Sequence, residues 1–191
     1  MNQDNPNTID YKDQISQEFL GLESQSARVF ALIIVTLVPA SIVLDYFINP
    51  AYLKTFFIIR CAISAINGLI YYLAGRKELA RQGKLMSRLA LGTVGAGIAL
   101  MVYILGYDDP YYAGLNLIYL ATMLAPWGLV DTLITCGIVY AMYVIPIFFQ
   151  LEGGINISAF INNNVFQLQT IIIAAVVNHF QNKRRRNEIL S

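Results

Sequence analysis

Charge is scarce in this chain. Lysine, arginine, aspartate and glutamate make up 13% of the residues, about half of the roughly 25% that soluble domains carry. Hydrophobic residues account for 57%. That balance assigns the chain to the membrane class. Cysteine is nearly as rare: Cys61 and Cys136 both lie in apolar runs, which excludes a disulfide scaffold and reads as two small buried hydrophobes. His179 is the single histidine. One imidazole cannot make a metal site or a bis-histidine haem within one chain, although a dimer could supply two. Haem b held by His179 in a dimer is therefore kept as an alternative; otherwise no cofactor is expected.

Other absences narrow the function. No HExxH, GxSxG or P-loop pattern occurs, and no intramembrane pair of carboxylates of the proton-pump kind. Nothing points to a catalytic residue, so the chain itself is not expected to be an enzyme. Residues 1–27 are polar and acidic, unlike a cleavable signal peptide. The basic residues flank apolar segments and form no separate patch, so nucleic-acid binding is excluded. The halves show no repeat of the kind that builds transporters from inverted units.

What the chain does have is long apolar runs. Six hydrophobic segments, 29–48, 52–74, 89–106, 112–129, 132–150 and 157–180, each approach the roughly twenty residues that a spanning helix needs. Pro39 should kink the first. The connections are short, so consecutive helices should be antiparallel neighbours. The fold class expected is all-α: a six-transmembrane-helix bundle over 28–180, with a soluble segment at 1–27 and a basic linker at 181–191. Within 1–27 the first residues read as disordered. From Asp10 to Ser24, Ile15, Phe19 and Leu22 recur at helical spacing and predict a short amphipathic helix at the cytoplasmic face.

Orientation follows from where the cations lie. Lys12, Arg28, Arg76, Lys77, Arg81, Lys84, Arg88 and the block at 183–186 are eleven of thirteen basic residues. With six spans they all fall on one side. Asp108, Asp109 and Glu152 fall on the other. The positive-inside rule then places both termini in the cytoplasm, in a bacterial inner membrane. Trp127 and Asp131 mark a cytoplasmic turn between segments four and five, with Trp127 as an interfacial anchor.

Charges inside hydrocarbon are costly and become functional hypotheses by default. Two qualify. Arg60 lies about 12 Å below the outer end of segment two, and Asp45 about 5 Å below the outer end of segment one. Snorkelling would bring them together as a structural ion pair; a direct role for Arg60 in ligand binding is the other reading. Three polar stripes reach similar depth by helical spacing. Arg60, Ser64 and Asn67 share a face of segment two. Tyr112, Asn116 and Tyr119 share one of segment four, and Asn163, Gln167 and Thr170 one of segment six. Such stripes serve either as interhelical glue or as the walls of an outward-opening pocket for a small, partly apolar molecule. On the second reading the ligand residues are Arg60, Asn67, Tyr112, Asn116, Tyr119, Asn163 and Gln167.

The last segment, INNNVFQLQTIIIAAVV, runs into the basic KRRRNE without a cap or turn. Together with DYFINPAYLKTFFIIRC and PYYAGLNLIYL, this arrangement resembles the membrane receptor module of CqsS-type quorum-sensing histidine kinases. It is also similar to the six-helix module ahead of some bacterial class III adenylate cyclases. The resemblance implies a receptor for a small lipophilic signal (in the quorum-sensing relatives, an α-hydroxyketone). It also implies a homodimer, with the last helix continuing as a signalling helix toward a cytoplasmic output domain beyond this chain. The competing expectations are a passive dimerising membrane anchor, using Gly92, Gly95 and Gly97 for close helix contact, and a small transporter or channel subunit.

Overall fold

The computed structural model describes residues 6–106, 110–149 and 157–190, all built from helices, turns and short connections with no strand among them. Asp108, Asp109 and Glu152, the acidic residues of the opposite loops, lie outside the described residues, as do the side chains of Lys12, Ile15 and Arg186. Five helical stretches are long and apolar enough to cross a membrane: Gln17–Ile48, Pro50–Ala74, Lys77–Leu105, Leu129–Ile147 and Ile157–Arg185.

Helix α1 runs unbroken from Pro6 to Ala40. The expected amphipathic helix and first span are therefore one 35-residue rod, about 50 Å long at helical rise. No proline falls between Pro6 and Pro39 to interrupt it, and Gly21, the only glycine there, costs about 1 kcal/mol. Pro6 suits the first helical position, where a missing N–H costs nothing. Pro39 acts at the far end. It has no N–H to give, and the helix stops one residue later, resuming after Ser41 as α2 (Ile42–Ile48).

A single 3-10 turn, Pro50–Tyr52, reverses the chain into α3 (Leu53–Ala74). The basic loop is partly helical, a 3-10 stretch at Lys77–Gln82 leading into α4 (Gly83–Leu105). Helix α4 is central. On one side α1 and α3 pack on it; on the other it meets α5 (Ala113–Ala121) and α6 (Leu129–Val144). The long α7 (Ile157–Leu190) closes that second side against α5 and α6. Glycines permit the tight crossings of α4. A Cβ at Gly83 would fall 2.5 Å from the backbone nitrogen of Ser24, and one at Gly95 would sit 2.8 Å from the Val139 side chain. One at Gly97 would collide with the Ile63 side chain. Gly95 and Gly97 are thus used inside the bundle, and a Cβ at Gly92 would meet nothing within 4 Å.

The fourth apolar segment departs from expectation. It gives nine residues of α-helix and a 3-10 turn ending at Leu124, well short of the predicted 112–129. Pro126 is the cause. The residue before a proline is pushed out of the helical region, and Ala125 is extended at φ −74°, ψ 143°. Ala113–Leu124 is thus a short apolar helix of about 18 Å, below the length that spans a membrane alone. Two single-residue expectations also change. Trp127 has no exposed surface and sits in the buried core of the bundle instead of anchoring its rim, with the Arg88 guanidinium 5.8 Å from its ring centre. Cys61 is exposed on the outer surface of α3; Cys136 is buried.

Candidate functional site

The break that Pro39 makes sets up the most unusual cluster in the molecule. Once α1 ends, the Val38 carbonyl lies near the end of the helical ladder and needs a donor. Ser41 Oγ donates to it at 2.7 Å and Arg60 Nη1 at 3.3 Å. Arg60 also donates to Ser41 Oγ. Asp45 shares a face of the chain with Ser41, four residues on. Arg60 grips its carboxylate through two parallel bonds, Nε to Oδ2 at 2.6 Å and Nη2 to Oδ1 at 2.7 Å. Tyr111 reaches over from the start of the fourth segment and donates its hydroxyl to the same Oδ1. Asp45 is fully buried and Arg60 is 7% exposed. Two charges that would each cost several kcal/mol alone are matched bidentately and surrounded by further donors and acceptors.

Below this cluster lies a cavity of about 630 Å³. Its walls are α1 and α2 on one side (Ile34, Val38) and α5 on the other (Ile118), with α4 as the floor (Val94, Ile98). The lining is almost wholly apolar, and Arg60, Ser41 and Tyr111 close its polar end. Leu37 and Leu117, which also line it, are 63% and 70% exposed, so the cavity reaches the apolar outer surface of the bundle. Its volume and chemistry match a site for a small, mostly hydrocarbon molecule with one polar end.

The seven residues expected to line one pocket do not converge. Only Arg60 borders the cavity. Asn67 is fully buried on the α4 side of α3, donating to Thr93 Oγ1 and the Ile63 carbonyl at 2.9 Å each. Tyr112 packs half-buried against the core. Tyr119, Asn163 and Gln167 belong to a second polar zone, between α5, α6 and α7. There Tyr119 donates to Gln167 Oε1 at 3.0 Å, and Tyr140 donates to Asn164 at 2.8 Å. Asn116 lies on α5, its Oδ1 buried and without a hydrogen-bond partner. Ser64 and Thr170 turn their hydroxyls back to the carbonyls of Arg60 and Phe166 in their own helices. Helical spacing identified each stripe, but not the rotation of each helix against its neighbours.

Several residues that matter have no mark in the sequence. Ser41 and Tyr111 complete the ion-pair cluster, and the only hint was Ser41 four residues before Asp45. Asn178 matters more. It is fully buried on α7, and its amide donates to the carbonyls of Thr122 and Ala125 at 2.7 and 2.9 Å. These are carbonyls that Pro126 releases from the helical ladder. The Ala125 N–H also reaches the Thr122 carbonyl, at 3.2 Å, so Asn178 is a second donor there and the side-chain donor to the Ala125 carbonyl. The α7 rod thus holds the broken end of α5, and α5 forms one wall of the cavity.

The opposite end of the bundle is more heavily charged. Asp131 receives Lys84 Nζ at 2.8 Å and Arg88 Nη2, and Lys84 also approaches Glu23 at 3.9 Å. Ser24 Oγ ties α1 to the last turn of α3 through the Ala74 carbonyl at 2.8 Å. His179 is exposed on α7 beside Phe180. Among the described residues, no three histidine, cysteine, aspartate or glutamate side chains lie together as a metal site. No protein family, no curated protein and no solved structure matches the chain.

Proposed function

We propose that this chain is the membrane input module of a bacterial signalling protein, an adenylate cyclase or a histidine kinase. It binds a small lipophilic molecule in the outer half of the bundle and works as a homodimer. The carrying observation is the apolar cavity closed at one end by the buried Asp45–Arg60–Ser41–Tyr111 cluster. The chain crosses the inner membrane six times, the fourth time through the short α5 and the residues that follow it. Both termini and the Lys84–Asp131 end are cytoplasmic, as the distribution of cations supports. A ligand entering past Leu37 and Leu117 lays its hydrocarbon on α4. Its polar end meets Ser41 and Tyr111, and because Asp45 already neutralises Arg60, an uncharged polar group suits the site best.

The signal leaves by α7. Ligand against α5 favours one position of that helix. Asn178 passes the preference to α7, which leads into the output domain. A ligand moves such an equilibrium only by its difference in affinity for the two states. The other reading, a passive dimerising anchor, draws on the apolar outer face of α7, where Ile161, Phe166 and Ile173 are exposed. One experiment separates the two. The chain is fused to a class III cyclase catalytic domain in cells lacking their own cyclase, and a lipid extract of bacterial culture is added. The input-module reading expects cyclic AMP to change with extract and the change to vanish in Leu117→Trp, which fills the cavity mouth. Output indifferent to both would leave the anchor.

A further inference from the structure

A second depression lies at the opposite end of the bundle, between α1 and the end of α3, with a volume of about 410 Å³. Three cations border it, Arg28, Arg76 and Lys77, and no acidic residue does. At the same end Lys84 and Arg88 are both paired with Asp131. By contrast, none of the three groove cations makes an ion pair with any described residue. Two of them are held in place by aromatic rings. The Arg28 guanidinium sits 5.1 Å from the centre of Tyr71, and that of Arg76 sits 4.9 Å from the centre of Tyr72. Each also touches the hydroxyl of its own tyrosine, at 3.4 and 2.5 Å. Most of the five donors on each arginine remain unused. The carboxyl end of α3 offers about half a negative charge, too little to balance three cations.

The groove continues from these cations along the outer surface of α1, over Val29 and Leu32, which are 44% and 50% exposed. A cationic mouth at the edge of a lipid-facing apolar track matches one ligand chemistry, an anionic phosphate on a hydrocarbon chain. We propose that this groove holds an anionic phospholipid. Arg28, Arg76 and Lys77 surround its phosphate, and an acyl chain lies along Val29 and Leu32. The site clamps α1 to the end of α3, beside the Ser24–Ala74 bond. The proposal rests on the membrane placement of the chain and not on the outer cavity, so the two can fail separately.

The test uses the 191-residue chain in mild detergent, read by native mass spectrometry. Phosphatidylglycerol, phosphatidylcholine with the same acyl chains, and glycerol 3-phosphate are each added. Phosphatidylglycerol should stay bound, phosphatidylcholine should leave, and glycerol 3-phosphate should not compete. Each cation near an anionic lipid is worth roughly five-fold in binding. Retention should therefore fall by roughly 25-fold in Arg28→Gln/Arg76→Gln and hold in Arg184→Gln, an exposed cation elsewhere. Val29→Trp blocks the track with every charge kept, at a position too exposed to disturb folding, and should also release the lipid. Equal retention of the two lipids, or equal loss in Arg184→Gln, would overturn the proposal. Competition by glycerol 3-phosphate as strong as by the lipid would instead identify a site for free phosphate.

Discussion

The two ends of the bundle solve the problem of charge in different ways. At one end Asp45 and Arg60 are buried, and the Val38 carbonyl, Ser41 and Tyr111 bond to them. At the other end Asp131 is shared by Lys84 and Arg88, with side chains about a quarter to a third exposed. The first arrangement has few charges and a rigid geometry; the second has more charges and remains open to solvent. Breaking a buried pair strands a charge in low dielectric, whereas losing an exposed partner lets water replace it. The Asp45–Arg60 cluster is therefore where small chemical changes have large consequences.

The largest effect should follow Arg60→Ala. It leaves Asp45 buried with Tyr111 as its remaining donor and should cost about 3–5 kcal/mol. In a chain of this size that is roughly a 10 °C drop in melting temperature in detergent. Adding Asp45→Asn removes the stranded charge and should recover much of the loss. No recovery would mean that the two residues act apart. Next is Asn178→Ala, which takes the side-chain donor from the Ala125 carbonyl and leaves the Thr122 carbonyl only the Ala125 N–H, and should cost about 1–3 kcal/mol. It should also loosen α5 from α7, seen as faster amide exchange confined to residues 113–124. Uniform acceleration over the whole bundle would show that the bond only stabilises. The smallest effect should come from Lys84→Ala, below about 1 kcal/mol and shrinking further in high salt, because Arg88 still holds Asp131. A loss as large as that of Arg60→Ala would erase the contrast between the two ends.

The sequence disclosed these regions unequally. Hydropathy marks α1, α3, α4, α6 and α7 because each belongs to an apolar helical stretch of spanning length. It misleads for the fourth segment, since a window average ignores that Pro126 carries no donor and forces Ala125 out of the helix. The Asp45–Arg60 pair was legible because two opposite charges at matching depth have little else to do in hydrocarbon. Tyr111 was not legible: it lies 66 residues from Asp45 and has no charge to mark it. The stripe residues expected to form one pocket are divided between the α3–α4 contact and the α5–α6–α7 contact. Spacing along a helix fixes which residues share a face but not which neighbour that face meets. The cavity itself is lined by Ile, Leu, Val and Met, residues that the sequence cannot distinguish from ordinary core. Asn178 looked like one polar residue among many, and only the broken α5 opposite it gives it work.

The proposed function turns on whether the cavity beneath the Asp45–Arg60 cluster holds a small molecule. The most direct test is a native mass spectrum of the purified chain, wild type beside Leu117→Trp, with the released lipophilic fraction identified. The wild type should carry one molecule of defined mass per chain and Leu117→Trp should lose it, with Lys84→Ala unchanged. Identical spectra carrying only bulk phospholipid would contradict it.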